Sequence, residues 1–261
     1  MVHTDPGCLS SVAAKSIRRA AVAARRAIIG ASIVASSTAC GPRARIPERP
    51  LVIPGALDAQ DSGAVLARQL APTLYLQRDE TFPLSRAVAV VHPTRRMIAY
   101  HLLWRDDANG AWVPFTRPTD QEIVWVGYDS TGAPTDIWTY WHGHTLHADW
   151  RGKGQVLADV QWGKHGSMPR GTINHTLPPG QTLDAFYFLS FLLLPDFWLG
   201  NLNRKGPWGF FHGFGRYKTF DKPLLLGERL DAIVRTDEPD EALKAVFGRN
   251  YSRKRSWPDQ R

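Results

Sequence analysis

The stretch Glu122–His142, EIVWVGYDSTGAPTDIWTYWH, decides the fold. Two runs rich in Ile, Val, Trp and Tyr flank Asp129–Pro134, DSTGAP, whose Asp, Ser, Gly and Pro supply turn chemistry. The pattern predicts an antiparallel hairpin, Ile123–Asp129 against Thr135–His142. Working outward, TLYLQ (Thr73–Gln77), AVAVVH (Ala87–His92), MIAYHLLW (Met97–Trp104) and QVLADVQWG (Gln155–Gly163) read as further strands. Two segments read as helices. In SGAVLARQLAP, Ser62 is the expected N-cap, Val65, Leu66 and Leu70 the apolar positions and Pro72 the stop; DEPDEALKAVFG, Asp237–Gly248, ends on a glycine. The expected fold class is mainly β, an antiparallel β-sandwich with a few peripheral helices, formed by residues 62–261 as one domain.

The first 39 residues have a different composition. Lys15, Arg18, Arg19, Arg25 and Arg26 precede the apolar, small-residue run AIIGASIVASSTA, Ala27–Ala39, which is too short to span a bilayer as a helix. This is the layout of a bacterial export signal, with a loose twin-arginine pattern in RRAII. STAC then places Cys40 where a lipoprotein signal carries its acylated cysteine, although Ser37 stands where such signals usually have Leu. Residues 40–61, rich in Pro and Arg, read as an extended tether. The expected address is the cell envelope, anchored to the membrane by lipid, with a periplasmic or secreted protein as the alternative. The only cysteines are Cys8 and Cys40. Cys8 would leave with the signal, so acylation explains the remaining one better than a disulfide does.

The formal charge is +8. Five basic residues against Asp5 give residues 1–39 a net +4, which leaves an ordinary +4 for the remainder. No nucleic-acid-binding motif is present. The basic tail, with Arg249, Arg253, Lys254 and Arg255, reads as a solvated end or as a patch for polyanions. The apolar run Leu183–Gly200, broken by Pro195 and Asp196, reads as a buried helix or flap, or as a surface that inserts into lipid. The glycine-rich, aromatic stretch Gly206–Phe220 reads as a strand, and Gly163–Gln181 as a long loop.

Three constellations carry chemistry. Alternation along a strand puts Asp120, Glu122, Val124 and Val126 on one face, so two carboxylates extend a core-facing row. An anion there needs hydration, a basic partner or a cation. Asp107, in the turn upstream, would add a third carboxylate to the same sheet end; Asp107, Asp120 and Glu122 are the metal candidates, for Ca²⁺ or Mg²⁺, alongside the reading that they are solvated or paired with Arg105 and Arg117. WHGHTLH supplies His142, His144 and His147; His142 and His144 share a face if the strand continues through Gly143, which makes His142 a metal-ligand candidate and both of them acid–base candidates. In WGKHGSMP, glycines around Lys164 and His165 let a basic pair approach a ligand, and His165 is a third acid–base candidate. No nucleophile elbow, P-loop or zinc-protease helix occurs.

Taken in order, LAPTLYLQRDETFP, IAYHLLWRDD, DQEIVWVGYD with GAP and YWHGH, and WGKHGSMP resemble the necrosis-inducing-protein-like family and its vacuolar-protein-sorting-62-like relatives, over roughly residues 70–169. The resemblance implies a β-sandwich whose Gly-His-Arg-His-Asp-Trp-Glu motif, with an upstream acid, holds a divalent cation in a surface cavity. Asp120 and Glu122 match the motif's acids, and Asp107 the upstream one. Thr116, Arg117, Pro118 and Thr119 stand in place of Gly-His-Arg-His, and Gln121 in place of Trp. Arg117 therefore falls where a ligating histidine is expected, which implies either an altered cation site, with an imidazole from His142 or His165, or one neutralised by an Arg–carboxylate pair. Known members are secreted cytolysins that engage sphingolipid head groups. Three functions are open: a binding module taking a divalent cation and a polar ligand, a glycan or lipid head group, with Arg117, Lys164 and His165 in contact with it; a metal-assisted hydrolase of envelope substrates; and a membrane-active protein using Phe186–Trp198.

Overall fold

The structure, a computed structural model, describes residues 52–77, 80, 82–105, 120–172, 176–179, 182–183 and 219–259. Cys40, Asp107, Arg117 and the run Phe186–Trp198 lie outside them.

The described elements run α1 (Ser62–Gln69), β1 (Thr73–Leu76), β2 (Leu84–Val91), β3 (Met97–Trp104), β4 (Asp120–Tyr128), β5 (Pro134–Trp141), β6 (His144–Asp149), β7 (Leu157–Val160), β8 (Ser167–Pro169), β9 (Lys222–Leu225), β10 (Ala232–Arg235) and α2 (Asp240–Phe247). They make a mainly β architecture of two sheets, one of order β10-β2-β3-β4-β5-β6 and one of order β8-β7-β1-β9. The expected hairpin forms as β4 and β5, with Val126 opposite Ile137. Strands β2 to β6 are an antiparallel meander, but β10 joins β2 and β7 joins β1 in parallel, so each sheet is mixed rather than purely antiparallel.

The alternation of side chains assigns two cores. From the six-stranded sheet, Ala87, Ala89, Ile98, Tyr100, Leu102, Trp104, Val124, Val126 and Ile137 pack in one core with Leu74, Leu76, Ala158 and Val160 of the other sheet. Its opposite face, with Val88, Val90, Ala99, Leu103, Ile123 and Trp125, is covered by Ala242, Leu243 and Phe247 of α2 and by Trp257. Burial on both faces explains why β3 and β4 read as nearly unbroken apolar runs.

Helix α1 is capped by Asp61, one residue before the expected Ser62: the Gly63 amide donates to Asp61 Oδ1 at 2.7 Å. Its packed side is made of Gly63, Ala64 and Ala67 with Leu66 and Leu70, two of the three expected apolar positions, while Val65 is exposed; the Tyr100 hydroxyl donates to the Ala67 carbonyl at 2.8 Å. The last part of the expected tether belongs to the fold. Leu57 donates its amide to the Ile233 carbonyl, the Arg235 amide donates to Gly55, and Arg235 pairs with Asp61 at 2.7 Å. Helix α2 ends as expected at Gly248, whose φ of 58° suits a residue without a side chain.

The basic tail lies on the sheet as a strap, with Arg249 and Arg253 exposed as expected and Lys254 and Arg255 partly buried. The Trp257 indole donates to the Asp237 carbonyl at 2.9 Å, the Trp125 indole to the Ser256 carbonyl at 2.8 Å, and the Ser252 amide to Gln121 Oε1 at 3.0 Å. Among the described residues, no helix is long and apolar enough to cross a membrane.

Candidate functional site

Strand β4 begins at Asp120, and its alternation does what the sequence pattern requires: Val124 and Val126 enter the inter-sheet core, and Asp120 and Glu122 continue the same row toward the strand end. Across the ladder, Trp104 stands opposite Asp120 and Leu102 opposite Glu122. Asp120 is half-buried and Glu122 is 6% exposed, so both carboxylates need partners.

The first partner comes from the β7–β8 turn. The His165 amide donates to the Gln161 carbonyl, the Gln161 amide donates to Gly166, and Gly163 and His165 have φ of 64° and 53°. Left-handed backbone at a non-glycine residue is uncommon and is held here by its surroundings. A side chain on Gly166 would meet the Trp141 ring at 3.0 Å, so any other residue there would have to push the ring aside. The turn delivers the His165 ring, wholly buried, flat against Trp104 with centroids 4.2 Å apart and planes 7° apart. His165 Nδ1 donates to Asp120 Oδ2 at 3.0 Å, and Nε2 lies 3.5 Å from Glu80 Oε1, an ion-pair distance. Burial works against the imidazolium, but the carboxylates on either side overcome it and hold its pKa up at about 9. Burial alone would raise Glu80; His165 and the amides of Phe82 and Gly163, donating at 3.0 and 2.9 Å, leave its carboxyl below the usual range.

Lys254 of the strap is the second partner. Its Nζ lies 3.2 Å from Glu122 Oε1 and 4.6 Å from the centre of the Tyr140 ring, a cation–π contact. Burial pushes the Glu122 carboxyl up to about 8; Lys254 opposes the shift and Asp120 adds to it. The result is a cluster of three acids, Glu80, Asp120 and Glu122, and two bases, His165 and Lys254, at one end of the sandwich. Glu122 Oε2, Trp104 Nε1, Gln161 Nε2 and Thr139 Oγ1 are buried with no hydrogen-bond partner among the described residues. A cleft of about 670 Å³, lined by Leu76, Arg86, Lys222, Leu225 and Asp231 among others, reaches the cluster through Glu80 among the described residues.

The histidine cluster is dispersed. The strand does not continue through Gly143: His142 (φ 45°) and Gly143 (φ 91°) form a two-residue turn that pairs Trp141 with His144, so the two histidines do not share a strand face. Positive φ at both positions is what a tight hairpin demands. His142 Nε2 lies 2.6 Å from Gln161 Oε1, and burial holds its pKa down, with Gln161 opposing. His144 is exposed at the start of β6, and His147 pairs with Asp136 at 2.8 Å. Lys164 is buried in the turn beside His165. Of the acidic set, Asp120 and Glu122 are adjacent, while Asp107, like Arg117, lies outside the described residues. Among those residues, no three His, Cys, Asp or Glu side chains are arranged to hold a metal ion. Glu80 and Lys254 carry no local sequence signal, since their partners lie 85 and 132 residues away.

No family model and no curated protein matches the chain. Among solved structures, NLPPya in complex with glucosamine is similar over 52% of this chain and 84% of its own, at 12% identity and a TM-score of 0.34. Necrosis and Ethylene inducing Protein 2, from the causal agent of cocoa's Witches Broom disease, is similar over 52% and 81%, at 13% identity and a TM-score of 0.31. Likeness this distant brings neither a site nor an activity with it.

Proposed function

We propose that the chain is an exported, lipid-anchored binding module of the cell envelope, whose β-sandwich presents the strand-end cluster to a polar ligand, a glycan or lipid head group, together with a divalent cation. One observation supports this reading above others: Asp120 and Glu122 leave the same face of β4 side by side, and the Asp120 side chain keeps 14% of its surface exposed at the strand end. Two neighbouring carboxylates at the rim of a rigid sheet are pre-positioned donors for a hard cation, and a ligand hydroxyl or phosphate completes such a shell.

Thermal unfolding of the purified protein tests the site. At about 100 times Kd, Ca²⁺, Mg²⁺ or the probe glucosamine should raise Tm by about 5–10 °C, and the pair Asp120→Asn with Glu122→Gln should remove the shift. No shift with any of the three would reject the reading. The anchor is tested separately. Cys40→Ser should move the protein from the membrane to the soluble fraction, and unchanged fractionation would reject lipidation.

A further inference from the structure

The far end of the C-terminal strap is fastened to the turn between β2 and β3, and a histidine holds that turn together. We propose that His92 is an acid-sensitive clasp: protonating its ring dismantles the turn and lets the last residues of the strap, with Trp257, leave the sheet.

His92 Nδ1 accepts hydrogen bonds from the amides of Thr94 at 3.1 Å and Arg95 at 3.0 Å. A ring nitrogen that accepts carries no proton, so the neutral imidazole keeps its one proton on Nε2, and a second proton must go to Nδ1. There it would face two N–H donors and cancel both bonds. The same turn holds the tail in three ways. The His92 ring lies against Trp257 with centroids 4.6 Å apart, the Arg95 guanidinium carbon sits 5.3 Å from the centre of that indole, and Arg95 Nη1 pairs with Asp259 Oδ2 at 2.6 Å. A turn that releases its amides re-aims Arg95 and weakens all three contacts together. The β2–β3 hairpin itself stays closed, because the His92 amide donates to the Met97 carbonyl at 3.0 Å. The charged groups that act on the ring among the described residues are Arg95 from its own turn, Asp237 from the connection between β10 and α2, and Asp259 from the tail. Burial, helped by Arg95, holds the imidazole pKa below 6.5, and the two carboxylates resist. A folded value below the unfolded one means stability that is present above pH 6.5 and lost as pH falls below it.

Hydrogen–deuterium exchange read by mass spectrometry tests the clasp against His92→Asn, whose side-chain oxygen can accept the same two amides ahead of Pro93 and does not titrate. At pH 7.5 the two proteins should exchange alike over residues 251–259. At pH 5.5 that segment should exchange several-fold faster in the wild type than in the variant, up to about tenfold, the limit that one pH unit below 6.5 allows. Comparing the two at one pH cancels the intrinsic exchange rate and every other group that titrates. Equal exchange at pH 5.5 would overturn the clasp. Should His92→Asn loosen the tail already at pH 7.5, the wild type decides alone. Its exchange over the same residues, corrected for the intrinsic rate, should rise in step with the titration of the His92 ring followed by NMR; no rise, or a rise at a different pH, would overturn the clasp.

Discussion

Replacing His165 by leucine is expected to lower the unfolding free energy by about 3–5 kcal/mol, the usual cost of leaving a buried charge without its partner. Glu80 and Asp120 approach the ring from its two nitrogens, and the Glu80 side chain is only 3% exposed, so water cannot replace the imidazolium. Adding Glu80→Gln to His165→Leu should recover part of the loss, since the stranded charge is removed. The pH dependence distinguishes this cause from a packing defect. The folded pKa of His165 is raised, from 6.5 to about 9. Its contribution is therefore complete below pH 6.5 and is lost as pH rises through 9. The gap between wild type and His165→Leu should shrink by about 3 kcal/mol between pH 6 and pH 9.5 in urea denaturation. A gap of the same size at both values would rule out the ion-pair account.

His101 should produce the opposite slope. It sits on the face of β3 that α2 covers, between Val88 and Ile123 in the neighbouring strands, 1% exposed. Neither ring nitrogen has a hydrogen-bond partner among the described residues. Burial drives its pKa down to about 3, with Asp240 resisting and Lys254 assisting. A depressed folded pKa means stability that is present above 6.5 and lost as pH falls toward 3. His101→Phe fills similar volume without polar atoms, so it should gain about 1–3 kcal/mol at neutral pH by removing two unsatisfied nitrogens. The advantage should widen by about 3 kcal/mol at pH 4, where the wild type must strain to keep the ring neutral. Parallel stability profiles for the two proteins would show that His101 does not titrate on unfolding.

What could be read from the sequence followed from local periodicity. Asp120 and Glu122 were placed on the core-facing row by a period of two, and the β4–β5 hairpin by its turn residues. The β3 strand covers the stretch its apolar pattern marks, Met97–Trp104. Strand β6 has no strand signature of its own, because HTLHAD is polar and pairs through a two-residue turn at His142 that resembles a strand continuing. Strand β8 has 3 residues, too few for a period to register, and β9 carries Pro223, which reads as a breaker. The parallel pairs β1–β7 and β2–β10 join segments far apart in the chain, which no local pattern encodes. The same limit hid how the cations of the site are paired, although His165 is a candidate from the sequence. A left-handed turn aims His165 at Asp120, and Lys254 emerges from a run of arginines that looks like a solvated end until Trp257 is seen to be buried.

The meander has a consequence for the order in which the molecule assembles. Residues 84–149 pair each strand with the one before it, so their contacts are short-range and close at small entropic cost. The second sheet must instead bring Thr73 to both Leu157 and Leu225. Asp120 and Glu122 lie inside the early-forming unit; Glu80, His165 and Lys254 lie outside it. Through most of folding the two carboxylates can therefore stay hydrated, and they lose water only when the long-range pieces arrive with the matching charges. Interactions made that late hardly affect how fast the chain folds but slow its unfolding. On this account the charged cluster acts as a latch, setting how long each molecule persists once it has closed.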